Sequence, residues 1–404
     1  MILNRGLHLA YCTNVHPGET WAETFDSLQR RTLRVKQQVC PDETYAIGLR
    51  LSDLASRELA IPEQLLAFRR WLDQHHCYVF TINGFPFGQF HGTRVKERVY
   101  LPDWTGPQRL EYTTRLFELL AELVPPHIEG SVSTSPGSFK EFIQKPQQER
   151  QIRDNLWRCV EHIARISDRT GRQLHLGVEP EPLGLLENSL ETARFFDQMR
   201  EERPGDPRLD RHLGVNYDTC HFAVEFEEPK EALDRFKQHG IRLSKIHLSN
   251  ALRLSPSPGA LRQLAAFADD VYLHQVIVRQ ADGSLTKFKD IDLALADPSA
   301  QALSPGAEWR VHFHIPLHSS PPGEFSTTAD HVLGMLKLLA AQPQCCSHLE
   351  METYTWAVLP DPLKTRDVVD QIVSEYRWTL ARLTELGLAG SVSSAGRDLT
   401  TPGQ

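Results

Sequence analysis

The sequence predicts an α/β protein folded as a (β/α)8 TIM barrel with a long insertion after its seventh strand. Three observations predict it. Strand-like and helix-like segments alternate along most of the 404 residues, the rhythm of a parallel sheet with helices outside. Several apolar runs lead into Glu, Asp or His: LHLGVEPEP (174–182), LGVNYDTCHF (213–222), LSKIHLSN (243–250) and LEMETYTW (349–356). Such groups are costly to bury unless they bind something, most often a metal ion. Finally, Glu179 to Asp218 is 39 residues and Asp218 to His247 is 29, each close to the roughly 30 residues of one strand–helix unit of a barrel. Ligands on successive strands of one barrel converge at its C-terminal mouth.

The elements follow in order. Leu7–Asn14 reads as a strand, and the apolar spacing of Glu19–Val39 is helical. Tyr45–Leu51 is a second strand, after which Pro62 opens a helix at the favoured first position. Tyr78–Asn83 is a third strand, followed by the Gly/Pro-rich loop GFPFGQFHG and a helix over Gln108–Leu123. His127–Ser133 is the fourth strand, with an amphipathic stretch from Gln144 to Arg169. Leu174–Glu179, Leu213–Asp218 and Leu243–Leu248 are strands five to seven, separated by helices over Ser189–Arg200 and Lys230–His239. The rhythm breaks between 251 and 309, where two alternating runs flank Asp282-Gly283, a β-hairpin signal. Such long loops build specificity over the mouth of a barrel. The chain resumes with RVHFHIPLH (310–318), a helix over Thr328–Ala341, the strand Ser347–Thr353 and a last helix over Thr365–Leu386. The barrel is predicted to span 1–388, with a Gly/Ser/Thr-rich, disordered tail over 389–404. A doubly wound two-domain fold is the alternative, weakened because no GxGxxG or P-loop pattern follows any strand.

Composition narrows the function. With 40% hydrophobic and 24% charged residues the chain suits a soluble globular protein, and its formal net charge of -8 argues against a nucleic-acid partner. No run reaches the roughly 18 apolar residues of a membrane span, and the N-terminus lacks a signal-peptide core. The seven scattered cysteines, without a CxxC pair, point to reduced thiols and a cytoplasmic location.

Alternate residues on a strand face the same way. Glu179 and Glu181 share a face, as do Asn216 and Asp218, Lys245 and His247, and Glu350 and Glu352. Glu179, Asp218, His247 and Glu352 together make a shell of three carboxylates and one imidazole, suited to Mn²⁺ or Mg²⁺, with Zn²⁺ or Co²⁺ as alternatives. Taken singly, a Glu or Asp near a strand end is more often a loop cap or a salt-bridge partner, and His247 alone reads equally as a core histidine or a ligand. His312 and His314 alternate along their strand and are read as substrate contacts, with a second metal site or hydrogen-bonded lids inside the insertion as the other readings. Lys245 is read as a substrate contact, a general acid or a buried counter-ion for the carboxylates. Asp218 is predicted to bind metal, and His221, three residues further on where the chain turns, to face substrate.

The strings G-V-E-P-E, N-Y-D-T-C-H, K-I-H-L-S and L-E-M-E-T resemble the xylose isomerase-like TIM barrel superfamily. In its epimerase-like members the resemblance implies metal ligands at Glu179, Asp218, His247 and Glu352 and a substrate contact at His221. Glu181 and Glu350 stay as alternatives for the two end ligands. More narrowly, GLHLAYCTNVHPGETW, WRVHFHIPLH and LEMETYTWAVLP resemble the EboE family, which implies association with other Ebo cluster proteins and with trafficking of a metabolite precursor. The expected activity is that of a metal-dependent isomerase, epimerase or lyase on a small polyhydroxylated or carbonyl metabolite, with Glu179 and Glu352 moving the proton. A non-catalytic metabolite-binding protein is the alternative, and a metal-dependent phosphodiesterase or endonuclease ranks behind both. The oligomeric state is left open.

Overall fold

The computed structural model describes residues 1–298, 305–361, 363–365 and 367–390. Eight strands form one parallel sheet: β1 (His8–Tyr11), β2 (Tyr45–Arg50), β3 (Cys77–Asn83), β4 (Gly130–Thr134), β5 (Leu174–Val178), β6 (Leu213–Asp218), β7 (Arg242–Leu248) and β13 (His348–Met351). Their order is β1-β13-β7-β6-β5-β4-β3-β2. A parallel bridge between Cys12 and Gly48 joins the two ends, completing a (β/α)8 barrel. Every strand is buried, as the near-continuous apolar runs of a parallel sheet require.

Helices enclose the sheet. Those over Pro62–Gln74, Pro107–Leu123, Pro146–Thr170 and Pro229–Gln238 each begin on proline, whose fixed φ and missing N–H suit a first helical position. The longest, Pro146–Thr170, ends on Gly171 at φ 70°, the left-handed turn for which glycine is favoured. Val79, Val132, Leu176, Val215 and Leu349 from the strands share one core with Leu116, Leu156, Ile163 and Phe196 from the helices.

Inside the barrel the alternation of side chains builds polar layers. The deepest holds neutral imidazoles: burial pushes His8 and His175 down to about 4, and His175 Nδ1 lies 2.8 Å from Ser244 Oγ. Further along β13, β7 and β4 come Glu350, Lys245 and Ser133. Another step towards the strand ends brings His247 and Glu352.

The seventh loop carries a second sheet. Strands β8 (Asn250–Leu254), β9 (Val276–Arg279), β10 (Leu285–Phe288), β11 (Glu308–Ile315) and β12 (Phe325–Thr327) pair antiparallel in the order β10-β9-β11-β8-β12. The hairpin read at Asp282-Gly283 joins β9 to β10. The insertion runs further than the 251–309 read from the sequence. RVHFHIPLH does not resume the barrel, because β11 pairs with β8 and β9, and the inserted sheet reaches Thr327. Its pattern explains both faces: Trp309, Val311, Phe313 and Ile315 enter a separate core with Leu252, Leu254 and Val278, leaving His312 and His314 on the opposite side. Ile277 packs against Cys220 and Val224 of the short helix that follows β6. The tail from 391 lies outside the described residues.

Candidate active site at the strand ends

The C-terminal ends of β5, β6, β7 and β13 bring together Glu179, Asp218, His247 and Glu352. One donor atom from each lies within 4.8 Å of the others, and all four residues are buried. His247 Nδ1 sits at the centre, 3.1 Å from Glu179 Oε1, 3.2 Å from Glu352 Oε2 and 3.5 Å from Asp218 Oδ2.

Each carboxylate has a distinct anchor. Asp218 caps the helix Thr219–Val224: its Oδ1 accepts from the backbone N–H of Cys220 (2.7 Å) and His221 (3.1 Å) and from Ser249 Oγ (2.6 Å). Its Oδ2 is buried without a hydrogen-bond partner. Glu352 Oε1 accepts from Asn14 Nδ2 at 2.8 Å and Asn83 Nδ2 at 2.9 Å, leaving Oε2 towards His247. Glu179 Oε2 is also buried and unpartnered.

Glu350 is not part of this group. Its Oε2 accepts from His247 Nε2 at 2.8 Å on the far side of the ring and from Lys245 Nζ at 2.5 Å. The Nε2 proton is thereby fixed and Nδ1 becomes the nitrogen aimed at the carboxylates. Burial opposes the charge on Glu350, but Lys245 and His247 outweigh it and hold the carboxyl down at about 2. Lys245 also donates to Ser133 Oγ at 3.1 Å and is fully buried below His247, so it serves as a counter-ion and does not line the pocket.

Burial disfavours the charge on His247 as well, yet Glu352 and Glu179 raise its pKa well above the usual imidazole range. For Asp218 the order of causes is similar: burial resists ionisation, and His221, His247 and His314 overcome it, keeping the acid well below its ordinary value. Glu181 behaves oppositely. Burial, then the neighbouring Glu179 charge, raises it well above the carboxylate range. It stands beside His312 Nδ1 at 3.4 Å, away from the four-residue group.

Three imidazoles complete the site. His221 lies in the short helix after β6, a helix where the sequence suggests a loop, and its Nδ1 donates to the carbonyl of Pro180 at 3.0 Å. His312 and His314 reach in from the inserted sheet, and burial lowers the pKa of both His221 and His312. A pocket opens above. Its floor is Glu179, Glu181, His221, His312 and Glu352, and its walls are Phe85, Phe90, Val95, Val99, Tyr272, Leu273 and Tyr354.

Sequence reasoning missed the partners: Asn14, Asn83, Ser249 and Gln275, whose side-chain oxygen lies 2.6 Å from His312 Nδ1. Asn83 ends β3, the same signal of a polar residue closing an apolar run that singled out the ligands. Ser249 and Gln275 carry no such mark. The aromatic walls arise from the GFPFGQFHG loop, from the insertion and from Tyr354 just past β13, and no local pattern joins them.

The donor set fits a divalent cation. Among the described residues, Glu179, Asp218, Glu350 and Glu352 are buried with Lys245 and His247 as their nearest cations, and one oxygen each of Glu179, Asp218 and Glu350 lacks a hydrogen-bond partner. Uncompensated buried charge is costly, and a bound ion supplies the compensation.

No protein-family model matches the chain, and no curated protein matches its sequence. Solved structures do match. A xylose isomerase-like TIM barrel protein from Mycobacterium smegmatis in complex with magnesium is similar with a TM-score of 0.54 at 11% identity, over 96% of this chain and 99% of that one. An L-ribulose 3-epimerase is similar with a TM-score of 0.50 at 10% identity, over 94% and 96%. Identities this low speak for the fold. In fold, the chain is similar to the xylose isomerase-like TIM barrels.

Proposed function

We propose that the protein is a metal-dependent isomerase or epimerase acting on a small polyhydroxylated or carbonyl metabolite. The observation that carries this is the convergence of Glu179, Asp218, His247 and Glu352 within 4.8 Å of one another at the mouth, with buried, unpartnered oxygens on Glu179 and Asp218. These four residues would hold a Mn²⁺ or Mg²⁺ ion, with Zn²⁺ or Co²⁺ as alternatives. When bound, the ion supplies Lewis acidity to adjacent substrate oxygens. The chain's own groups do the rest. Glu179 Oε2 is free to take a proton from carbon, and Glu352, steadied by Asn14 and Asn83, is placed to return one. His221 faces the substrate side, and the insertion closes the pocket from above with Tyr272 and Leu273, just before β9. The resemblance to EboE and the link to precursor trafficking belong to this proposal on the strength of the sequence strings alone.

The apolar walls favour one second reading, a binding protein that holds a partly apolar metabolite without turning it over. One experiment separates the two. Chelator-treated protein is reloaded with Mn²⁺ and offered ketoses, cyclitols and aromatic precursors in D₂O. Metal-dependent deuterium incorporation beside the carbonyl, lost in Glu179→Gln and Glu352→Gln, is expected. A compound retained tightly with no exchange and no new stereoisomer would establish the binding reading instead.

A further inference from the structure

We propose that the substrate is no free sugar but a small α-hydroxy carbonyl compound with an alkyl or aryl arm where a sugar carries its outer hydroxyls. The assignment rests on the function proposed above, which places the reacting oxygens at the floor of the pocket. Floor and walls differ in chemistry. The floor is carboxylate and imidazole throughout, whereas Phe85, Phe90, Val95, Val99 and Leu273 line the walls with side chains of carbon alone.

The polar groups of the walls are engaged elsewhere. His91 Nε2 donates to the Asn14 carbonyl, so His91 Nδ1 accepts from the Tyr272 hydroxyl at 2.6 Å. Lys96 also lines the pocket, but its Nζ donates to Asp290 Oδ2 at 2.6 Å and to the Asp269 carbonyl at 2.5 Å. Among the described residues, this leaves the walls the Tyr354 hydroxyl. A hexulose has an oxygen on every carbon. Each hydroxyl turned to Phe90, Val95, Val99 or Leu273 would lose water and gain no partner, the costly form of burial. A methylene or ring carbon in the same place gains from leaving water.

The apolar surface is also built in advance. Phe90, Tyr272 and Tyr354 come from three distant segments, yet their ring centroids lie 5.2, 5.1 and 5.1 Å apart, the spacing of aromatic contacts. The Val271 carbonyl accepts from the Val95 and Lys96 N–H groups at 2.9 Å each and ties the insertion to the segment after the glycine-rich loop. A wall already ordered pays little further ordering cost when an arm covers it.

Calorimetric titration of the Mn²⁺-loaded full chain tests this. The probes are 1-hydroxyhexan-2-one and 2-hydroxyacetophenone, set against D-fructose and L-sorbose, which share the hydroxyketone end. Both apolar ketones are expected to bind about tenfold tighter than either sugar, with about fourfold gained per methylene from 1-hydroxybutan-2-one to 1-hydroxyhexan-2-one. The ratio between the two apolar ketones tells an alkyl arm from an aryl one. Val99 is half-buried, and Val99→Asp should erase the gain per methylene while wild-type Mn²⁺ affinity shows that the floor is intact. Sugars that bind as tightly as the apolar ketones would overturn the arm and leave the metal-dependent function standing. A gain per methylene that survives in Val99→Asp would overturn it too, by placing the arm elsewhere. Tight, Mn²⁺-dependent binding of the apolar ketones without protein-dependent deuterium exchange would uphold the arm and count against the proposed reaction.

Discussion

The carboxylate cluster and the three imidazoles beside it meet at Asp218, yet the chain builds them by different means. The first is a product of the barrel: four parallel strands end at one level, and each contributes one ligand. The second is a junction, with His221 from the barrel and His312 and His314 from an antiparallel sheet that has its own core. Strand ends of a closed barrel are fixed by the whole sheet, so the first cluster needs only short anchoring bonds. The second depends on how one sheet is docked on another. Donor chemistry at a site can thus be rigid by topology or rigid by docking, and the two respond differently to substitution.

The sharpest way to break the comparison is beneath the carboxylate cluster. A Cβ on Gly48 would stand 2.0 Å from Glu350 Oε1 and 2.6 Å from the Tyr11 carbonyl, so β2 leaves space there only for glycine. Gly48→Ala should displace Glu350, release the His247 ring and lower Mn²⁺ affinity by about 10–100-fold, the effect of losing a partner that orients a ligand. Calorimetric titration with Mn²⁺ checks it, and wild-type affinity in this variant would show that Glu350 does not set the His247 ring.

Glu375 tests the docking itself. It lies on the helix Val368–Glu385, and its Oε1 accepts from the Leu317 N–H at 3.1 Å, just past β11, and from Thr353 Oγ1 at 2.8 Å, just past β13. Burial pushes its carboxyl up to about 7. The folded protein therefore keeps a proton that an unfolded chain releases near pH 4.5. The Glu375 contribution is complete below that pH, falls as pH rises towards 7 and is flat beyond. The shift corresponds to roughly 3 kcal/mol. Unfolding curves should show the stability of the wild type relative to Glu375→Gln falling by about that amount between pH 4.5 and 7.5, and parallel curves would exclude a raised Glu375.

The smallest effect is expected at the clasp on the hairpin. Lys287 of β10 reaches the buried Glu187 and, at 2.6 Å, Glu225. Burial, only partly offset by Lys287, moves Glu225 up to about 8. Lys287→Met should cost about 1–3 kcal/mol and speed amide exchange in β9 and β10, with the barrel strands unchanged. Uniformly faster exchange through the barrel would mean that the inserted sheet is not an independent unit.

Much of this was legible in the chain. Apolar runs ending in Glu179, Asp218, His247 and Glu352 mark four strand ends, and the strand–helix rhythm fixes that they lie at one end of a barrel. The period-two pattern of RVHFHI separates His312 and His314 from Val311, Phe313 and Ile315 without any knowledge of the partner strands. What the sequence could not determine is everything that crosses long separations. Asn14 and Glu352 are 338 positions apart, and their 2.8 Å bond exists because the barrel closes β1 onto β13. RVHFHIPLH has the same local pattern whether it resumes a barrel or joins an inserted sheet, and only pairing with β8 decides. Likewise Glu350 and Glu352 are equivalent in a strand pattern, and the tertiary structure separates them by giving one to Lys245 and the other to the mouth. Local sequence sets which way a side chain faces; which groups meet there depends on closure and docking, which no single segment encodes.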